Sequence, residues 1–380
     1  MATIKRVLIV GGGIGGLTLA VALKRQGIEA DIVEINPAWS VYGVGIIQPS
    51  NALRALRSVG LGEACLARGW GFQGWRFCDK DGNVVAEVPS ENVAGAGYPP
   101  TNGISRSTLH KILCDATLDQ GTRVSLGITL SSWSEAAEGI DVSFTDGSSG
   151  RYDLVVGADG AYSKLRAMLF GDSLKPTFTG QSVWRHNFRR PKDLDWGMLF
   201  YGSKSKGGLV PLAEDLMYLL LVTAEPGNPR MPADGLHELL RARLGEYGGI
   251  VAQLRDEIVD PTQVVYRPLE ALMLPEAWHR GRVILIGDAA HAGTPHLAEG
   301  AAMAIEDSVL LAEMLNGSID IEKTLTAFTA RRLPRVKLVH EVGLQLGEWE
   351  MFEFDNGSPA PGSDADGLFA RAYAELMQSI

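Results

Sequence analysis

Residues Val7–Gly16 read VLIVGGGIGG, an apolar run that passes at once into Gly11, Gly13 and Gly16 at G-x-G-x-x-G spacing. Each glycine has a physical task. Gly11 permits a tight turn out of a strand. Gly13 carries no side chain to hold a pyrophosphate off the backbone. Gly16 lets the following helix approach the sheet, and that helix points unpaired N–H groups at the phosphates. The predicted helix is Gly15–Arg25, stopped by Gly27. The next strand, Ala30–Val33, ends in Glu34. A carboxylate there accepts hydrogen bonds from both hydroxyls of a ribose and repels a 2′-phosphate. Taken alone, the unit specifies an adenine dinucleotide, NAD as readily as FAD.

The rest of the chain narrows the class. It has 380 residues, 46% hydrophobic and 21% charged, so it is globular with room for one large domain or two. A formal net charge of −10 argues against nucleic acid or an anionic membrane surface as the main partner. Cys65, Cys78 and Cys114 show no C-x-x-C spacing and read as small buried hydrophobes in a reducing cytoplasm. No His, Cys or carboxylate cluster has metal-ligand spacing, and no metal is expected. The opening MATIKRVLIV reads as a first strand, because its apolar run, Val7–Val10, stops at glycines. No apolar run approaches the roughly 18 residues of a membrane span.

Periodicity places the remaining elements. Helices are predicted at Asn51–Gly60, Ser105–Leu118, Gly235–Leu244, Gly249–Glu257 and Gly300–Leu315. Two more, Ile321–Arg332 and Arg335–Glu350, are divided by Pro334, and a last one spans Leu368–Met377 after a linker-like stretch. Residues 176–225 are rich in aromatic and β-branched residues with no helical face, and read as a mostly β insertion. Two further buried strands end in turns that carry an acid. Leu154–Val156 delivers Asp159–Gly160, and Val283–Ile286 delivers Gly287–Asp288, followed by Pro295 and Gly300 before a long helix. Ligands of open α/β sheets bind at such strand ends.

The three motifs, in this order, resemble those of the group A FAD-dependent monooxygenases, the aromatic hydroxylases, over residues 5–340. PHLAEGAAMAIED is closest in pattern to the salicylate- and heterocycle-hydroxylase branches. The resemblance implies an α/β fold: a discontinuous Rossmann-like FAD-binding domain of the GR2 type (1–75, 100–175, 265–340), a mostly β-sheet substrate domain (76–99, 176–264) and a C-terminal helical segment (341–380). It implies FAD held by Gly11, Gly13, Gly15, Gly16, Glu34, Ile35, Ile47, Arg106, Leu130, Asp159, Asp288, Pro295, Gly300 and Ala301. It also implies NADH or NADPH as electron donor, O2 as co-substrate, and a flavin C4a-hydroperoxide that hydroxylates a small aromatic or N-heteroaromatic ring. A monomer or homodimer is expected. Two departures stand out. Many relatives carry an arginine where this chain has Val41, and many have Gln-Gly where it has Glu299–Gly300. An extra carboxylate beside the flavin opposes a reduced, anionic ring unless it is neutralised or turned away.

The candidate catalytic residues are His296, Tyr201 and His186. His296 is placed for a polar contact on the substrate side, with a satisfied loop histidine as the alternative. His291, just past Asp288, reads as structural. Tyr201 and His186 lie on predicted strands of the β insertion, where alternation puts Trp184 and His186 on one face and Arg185 on the other. The cluster Arg185, Arg189, Arg190 and Lys192 reads as a solvated edge. A reductase or epoxidase on the same fold, or a non-catalytic FAD-binding protein, are the rival functions. A halogenase would need a W-x-W-x-I-P segment, which is missing.

Overall fold

The computed structural model describes residues 4–41, 43–136, 138–275 and 277–380. Arg6–Val10 lies inside a six-stranded sheet, paired in parallel with Glu29–Glu34 on one side and Leu154–Gly157 on the other. Val283–Leu285 extends the sheet beyond Leu154–Gly157, also in parallel. Val7, Leu8 and Ile9 are fully buried, as strands covered on both faces require. Parallel pairing has one decisive consequence. The turns after Val10, Glu34, Gly157 and Leu285 all leave from the same edge of the sheet, so the three acid- or glycine-bearing motifs converge. The helix Ile14–Arg25 packs on Gly300–Leu315 behind that edge.

A seven-stranded sheet forms the second body. Its order is Val265–Ala271, Thr177–Arg189, Leu216–Ala224, Ser205–Pro211, Gly197–Tyr201, Gly74–Asp79, Val84–Pro89. One face, carrying Trp184, Phe188, Phe200, Leu209 and Leu219, is covered by the helices Leu236–Arg243 and Gly249–Glu257. The other face, with Val210, Tyr218 and Val265, meets a small sheet built from Gly45–Pro49, Thr101–Ser105 and Trp70–Phe72. Glycines allow the close approach. A Cβ on Gly45 would overlap the Tyr218 ring, and one on Gly103 would overlap the Pro211 carbonyl.

Several expectations need correction. Pro334 does not divide two helices; Ile321–Asn356 is continuous through it. Proline removes one N–H donor, but Arg332 and Arg335 on either side are locked to a partner helix, and that outweighs the loss. The last helix is Ala365–Leu376, capped by Asp364, and the helix Gly62–Arg68 went unforeseen. The basic cluster is not uniformly a solvated edge. Arg189 and Lys192 are exposed. Arg190 is buried, lies 3.7 Å over the Trp70 ring and donates to the Ala213, Glu214 and Leu194 carbonyls. Among the described residues, no helix is long and apolar enough to cross a membrane.

The lock is a buried ion cluster. Arg332 donates to Asp307 at 2.7 Å and to Glu306 at 2.8 Å, and Arg335 grips Glu306 through two 2.8 Å bonds. Truncating Arg332→Ala leaves two carboxylates without their shared cation. We expect a loss of about 3–5 kcal/mol, read as a lower urea midpoint with unchanged slope.

Candidate active site

The glycine turn is rigid by construction. Gly11 adopts φ +112°, and a Cβ there would overlap the Ala158 carbonyl at the end of the neighbouring strand. A Cβ on Gly16 would overlap the Gly11 carbonyl. Gly13 differs, because nothing lies within 4 Å of its Cβ position and it begins a helix with no side-chain cap. That opening, with free N–H groups behind it, has the size and polarity a pyrophosphate needs. Gly15 faces inward, its carbonyl accepting from Ser308 Oγ at 2.8 Å. Glu34 accepts from Gly12 N and Asn36 N, both at 2.7 Å, which fixes its carboxylate at the mouth of the turn. Two residues the sequence reading missed complete the turn. Trp39 Nε1 donates to the Gly12 carbonyl at 3.1 Å, and His110 Nε2 lies 3.0 Å from the same oxygen.

Ile35 is exposed next to Glu34, where a flat ring can lie on it. Leu130 is buried in the core, so its side chain serves packing. Arg106 opens the helix Arg106–Asp119, which Ser105 caps through Thr108 N at 3.0 Å. Its stem crosses Gly43, with Cδ 3.0 Å from that glycine's Cβ position. The loop that bears Val41 therefore has an arginine laid against it from another element. Ile47 packs against Val210 and Tyr218 at the join with the β-sheet.

The second and third turns present carboxylates. Asp159 Oδ2 accepts from Leu165 N at 3.1 Å, while Oδ1 is buried with no partner. Burial pushes its carboxyl above the usual range. Asp288 follows Gly287, at φ +57°, and is exposed at its turn. Behind it, Asp307 accepts from Gly287 N at 2.9 Å and lies 2.7 Å from His291 Nε2, so His291 is a structural bolt. Burial opposes the Asp307 charge, but His291 and Arg332 hold its carboxyl down at about 2.

Glu299 stands at the start of Gly300–Leu315 and is fully buried. Burial pushes its carboxyl up to about 8, despite a 2.9 Å hydrogen bond from Asn51 Nδ2. At neutral pH it is protonated and turned inward. The N–H groups of Gly300 and Ala301 are left to face the open side, where nothing lies within 4 Å of the Gly300 Cβ position. Pro295 and His296 form the 3-10 turn before that helix. Bare positions on the long helix admit this turn: a Cβ on Gly343 would lie 2.6 Å from Thr294 Oγ1, and one on Gly347 3.2 Å from His296 Cε1.

His296 joins the two bodies. Its Nδ1 lies 2.9 Å from Thr294 Oγ1 and its Nε2 3.2 Å from Glu350 Oε2. Glu350 also takes Gln181 Nε2 at 3.2 Å and forms a very short ion pair with Lys206. Burial opposes the Glu350 charge, but Lys206 and His296 hold its carboxyl far below the usual range. Tyr201 lies directly across the hairpin from Lys206, its ring stacked on Phe77. His186 is elsewhere. It shares a face with Trp184 and Phe188, against the covering helices, so it does not meet Tyr201 and His296. Lys206 and Glu350 take its place at this site. A groove of about 520 Å³ opens beside His296, bordered by Gln181, Thr294, His340, Gly343 and Gly347.

Residues 5–342 match the FAD binding domain family. The chain is 32% identical to aurachin C monooxygenase/isomerase of Stigmatella aurantiaca, over 92% of this chain and 91% of that one. It is 30% identical to 6-hydroxynicotinate 3-monooxygenase of Pseudomonas fluorescens, over 90% and 91%. Among solved structures it resembles Klebsiella pneumoniae HpxO complexed with FAD and uric acid: TM-score 0.82, 25% identity, 98% of this chain and 92% of that one.

Two outcomes follow from this geometry. Gly13→Ala fits the empty turn but fills the opening, so its melting temperature without cofactor stays within about 1 °C of the parent, while FAD affinity falls at least tenfold in a fluorescence titration. Gly16→Ala lowers both. The second concerns Glu299, whose folded-state carboxyl lies above its ordinary 4.5. It favours folding below that value, and the benefit is lost as pH rises to about 8. Glu299→Gln, which mimics the protonated acid, should therefore melt near the parent at pH 5 and clearly above it at pH 9.

Proposed function

This chain belongs to the FAD binding domain family of FAD-dependent monooxygenases, and we propose that it hydroxylates a small aromatic or N-heteroaromatic ring with NADH or NADPH and O2. The observation that carries this reading is the convergence of the three turns at one sheet edge, opposite an apolar β-sheet face that holds a paired lysine. Gly11, Gly13, Gly16 and Glu34 hold the ADP half of FAD, Arg106 serves its phosphate side, and Asp288 takes the ribityl chain. The N–H groups of Gly300 and Ala301 would receive the polar edge of the flavin ring. Bound FAD supplies the oxygen-activating chemistry, with electrons drawn from the nicotinamide.

The chain's own residues do the rest. Val210, Tyr218, Leu220 and Val222 on the facing sheet make a floor that keeps water from the reacting atoms. Lys206, kept charged by Glu350, holds the negative charge that develops on a ring oxygen as its proton leaves. His296 borders both Glu350 and the open groove, and so gives that proton a way to solvent. His186 has no part in this scheme.

The protein loaded with FAD should be yellow, and a ring substrate should speed NAD(P)H oxidation with hydroxylated product formed in step. NAD(P)H oxidation without O2 uptake would instead make it a reductase, and FAD binding with no ring turnover a binding protein. Glu350→Gln is expected to lower kcat by about 10²-fold and to shift the pH optimum, with FAD affinity within twofold of the parent.

A further inference from the structure

The Gly12 carbonyl is held from two directions. Trp39 Nε1 donates to it at 3.1 Å, and His110 Nε2 lies 3.0 Å away. A carbonyl oxygen only accepts, so His110 Nε2 carries a proton, and the two donors fill both lone pairs. Both come from outside the glycine turn. Trp39 belongs to the loop after Glu29–Glu34, and His110 to the helix Arg106–Asp119. His110 is buried, and its ring meets that of Trp39 edge-on at 5.9 Å. Cys114 Sγ lies 3.5 Å from Nδ1 and 3.7 Å from Nε2, so the sulfur rests over the ring face and pins it. Trp39 is fixed as well. Its φ of +45° is a left-handed conformation that a bulky residue adopts only where its surroundings impose it. Asn36 imposes it: its side chain accepts from Ala38 N at 3.0 Å and donates to the Ser40 carbonyl at 2.9 Å, and its carbonyl accepts from Trp39 N at 3.1 Å. The same contact accounts for Gly12. The backbone there lies outside the left-handed region and suits any residue, but a Cβ would lie 2.6 Å from Trp39 Nε1.

Across a trans peptide the carbonyl and the following N–H point opposite ways. Among the described residues no peptide bond is cis. Holding the Gly12 oxygen between these two side chains therefore turns the Gly13 N–H to the other side. Gly13 is part-exposed there and heads a helix with no side-chain cap. We propose that Trp39 and His110 are positioning residues for FAD: by clamping the Gly12 carbonyl they aim the Gly13 N–H at the pyrophosphate. Neither needs to touch the cofactor, since each acts through the peptide bond. The loop that carries Trp39 also binds Glu34 through Asn36 N at 2.7 Å, so one short segment sets both the phosphate seat and the acid beside it. The word pyrophosphate rests on the reading of the glycine turn as the FAD seat; the clamp rests on the Gly12 contacts themselves.

The test uses the full-length protein, stripped of FAD and titrated with it, and the FAD-loaded protein for phosphorus NMR. Trp39→Phe combined with His110→Leu removes both donors and should weaken FAD binding by about tenfold or more. At saturating FAD, the phosphorus signals of its pyrophosphate should move toward those of free FAD, while the flavin absorbance stays that of the parent. His110→Gln keeps an N–H donor and should hold FAD within about threefold of the parent, whereas His110→Leu should weaken it further. A double-mutant cycle isolates the contact, and it decides the matter if the combined variant fails to fold. Gly12→Ala should cost about tenfold in FAD affinity in the parent, and less than about threefold once Trp39→Ala has removed the indole. Unchanged FAD affinity, unmoved phosphorus signals, no rescue by His110→Gln, or additive losses in the cycle would each overturn the proposal. So would nitrogen NMR of labelled histidine that places the His110 proton on Nδ1 alone. A parent that binds no FAD would refute the reading of the seat itself. A parent that binds FAD beside indifferent variants would refute only the clamp.

Discussion

Glu306 and Asp307 lie at the centre of this molecule with no exposed surface, and the rest of the site depends on the two arginines that meet them there. Two buried carboxylates against two buried guanidiniums give a balanced cluster, which is the condition for tolerating charge in an interior. The cluster does more than survive. Through Asp307 it fixes Gly287 and His291, and so the turn that presents Asp288. Arg335 also binds the carbonyls of Glu375 and Leu376, which ties the chain's last helix to the same point. The helix Gly300–Leu315 is thereby held at a set depth, with its first N–H groups at the convergence of the three turns.

Balance also explains how the two bodies are joined. The Lys206–Glu350–His296 chain crosses between them, drawing one residue from the β-sheet, one from the helix Ile321–Asn356 and one from the turn before Gly300. Glycines at 45, 103, 343 and 347 bring the backbones close enough for those bonds to form. Shape complementarity is thus achieved by omitting side chains on one partner and directing a single paired cation from the other. A groove bordered by Gln181, Thr294 and Gly347 opens beside that chain of bonds.

Much of this was legible in the residues because the relevant signals are local. A strand, a glycine and an acid within a dozen positions mark the second and third turns, the glycine spacing and the acid ending the next strand mark the first, and Gly300–Leu315 was placed to the residue by its apolar periodicity. What escaped notice is what depends on distant partners. Pro334 reads as a helix boundary until Arg332 and Arg335 find Glu306 and Asp307 on another helix. Lys206 and Glu350 are 144 positions apart, and nothing near either one announces the pair. For His186, alternation correctly set it on the face shared with Trp184 and opposite Arg185, but period-2 reasoning cannot say which face the covering helices take. The helices Leu236–Arg243 and Gly249–Glu257 decided that, and the histidine went with them.

Glu299 shows how the same balance governs the start of the helix Gly300–Leu315. The interior cluster is already neutral, so a third carboxylate beside Glu306 has no cation left to claim, and it keeps its proton to about pH 8. A protonated glutamic acid has nearly the shape of glutamine, the residue that the resemblance places before this glycine. Asn51 satisfies one of its oxygens. At neutral pH the departure from Gln-Gly therefore leaves the helix start uncharged, and the unpaired N–H groups of Gly300 and Ala301 keep their full pull on negative charge, which under the proposed function is that of the flavin's polar edge. Only above about pH 8 does an ionised Glu299 set its charge against that pull. The substitution thus exchanges a permanent amide for a proton that the buried ion cluster holds in place.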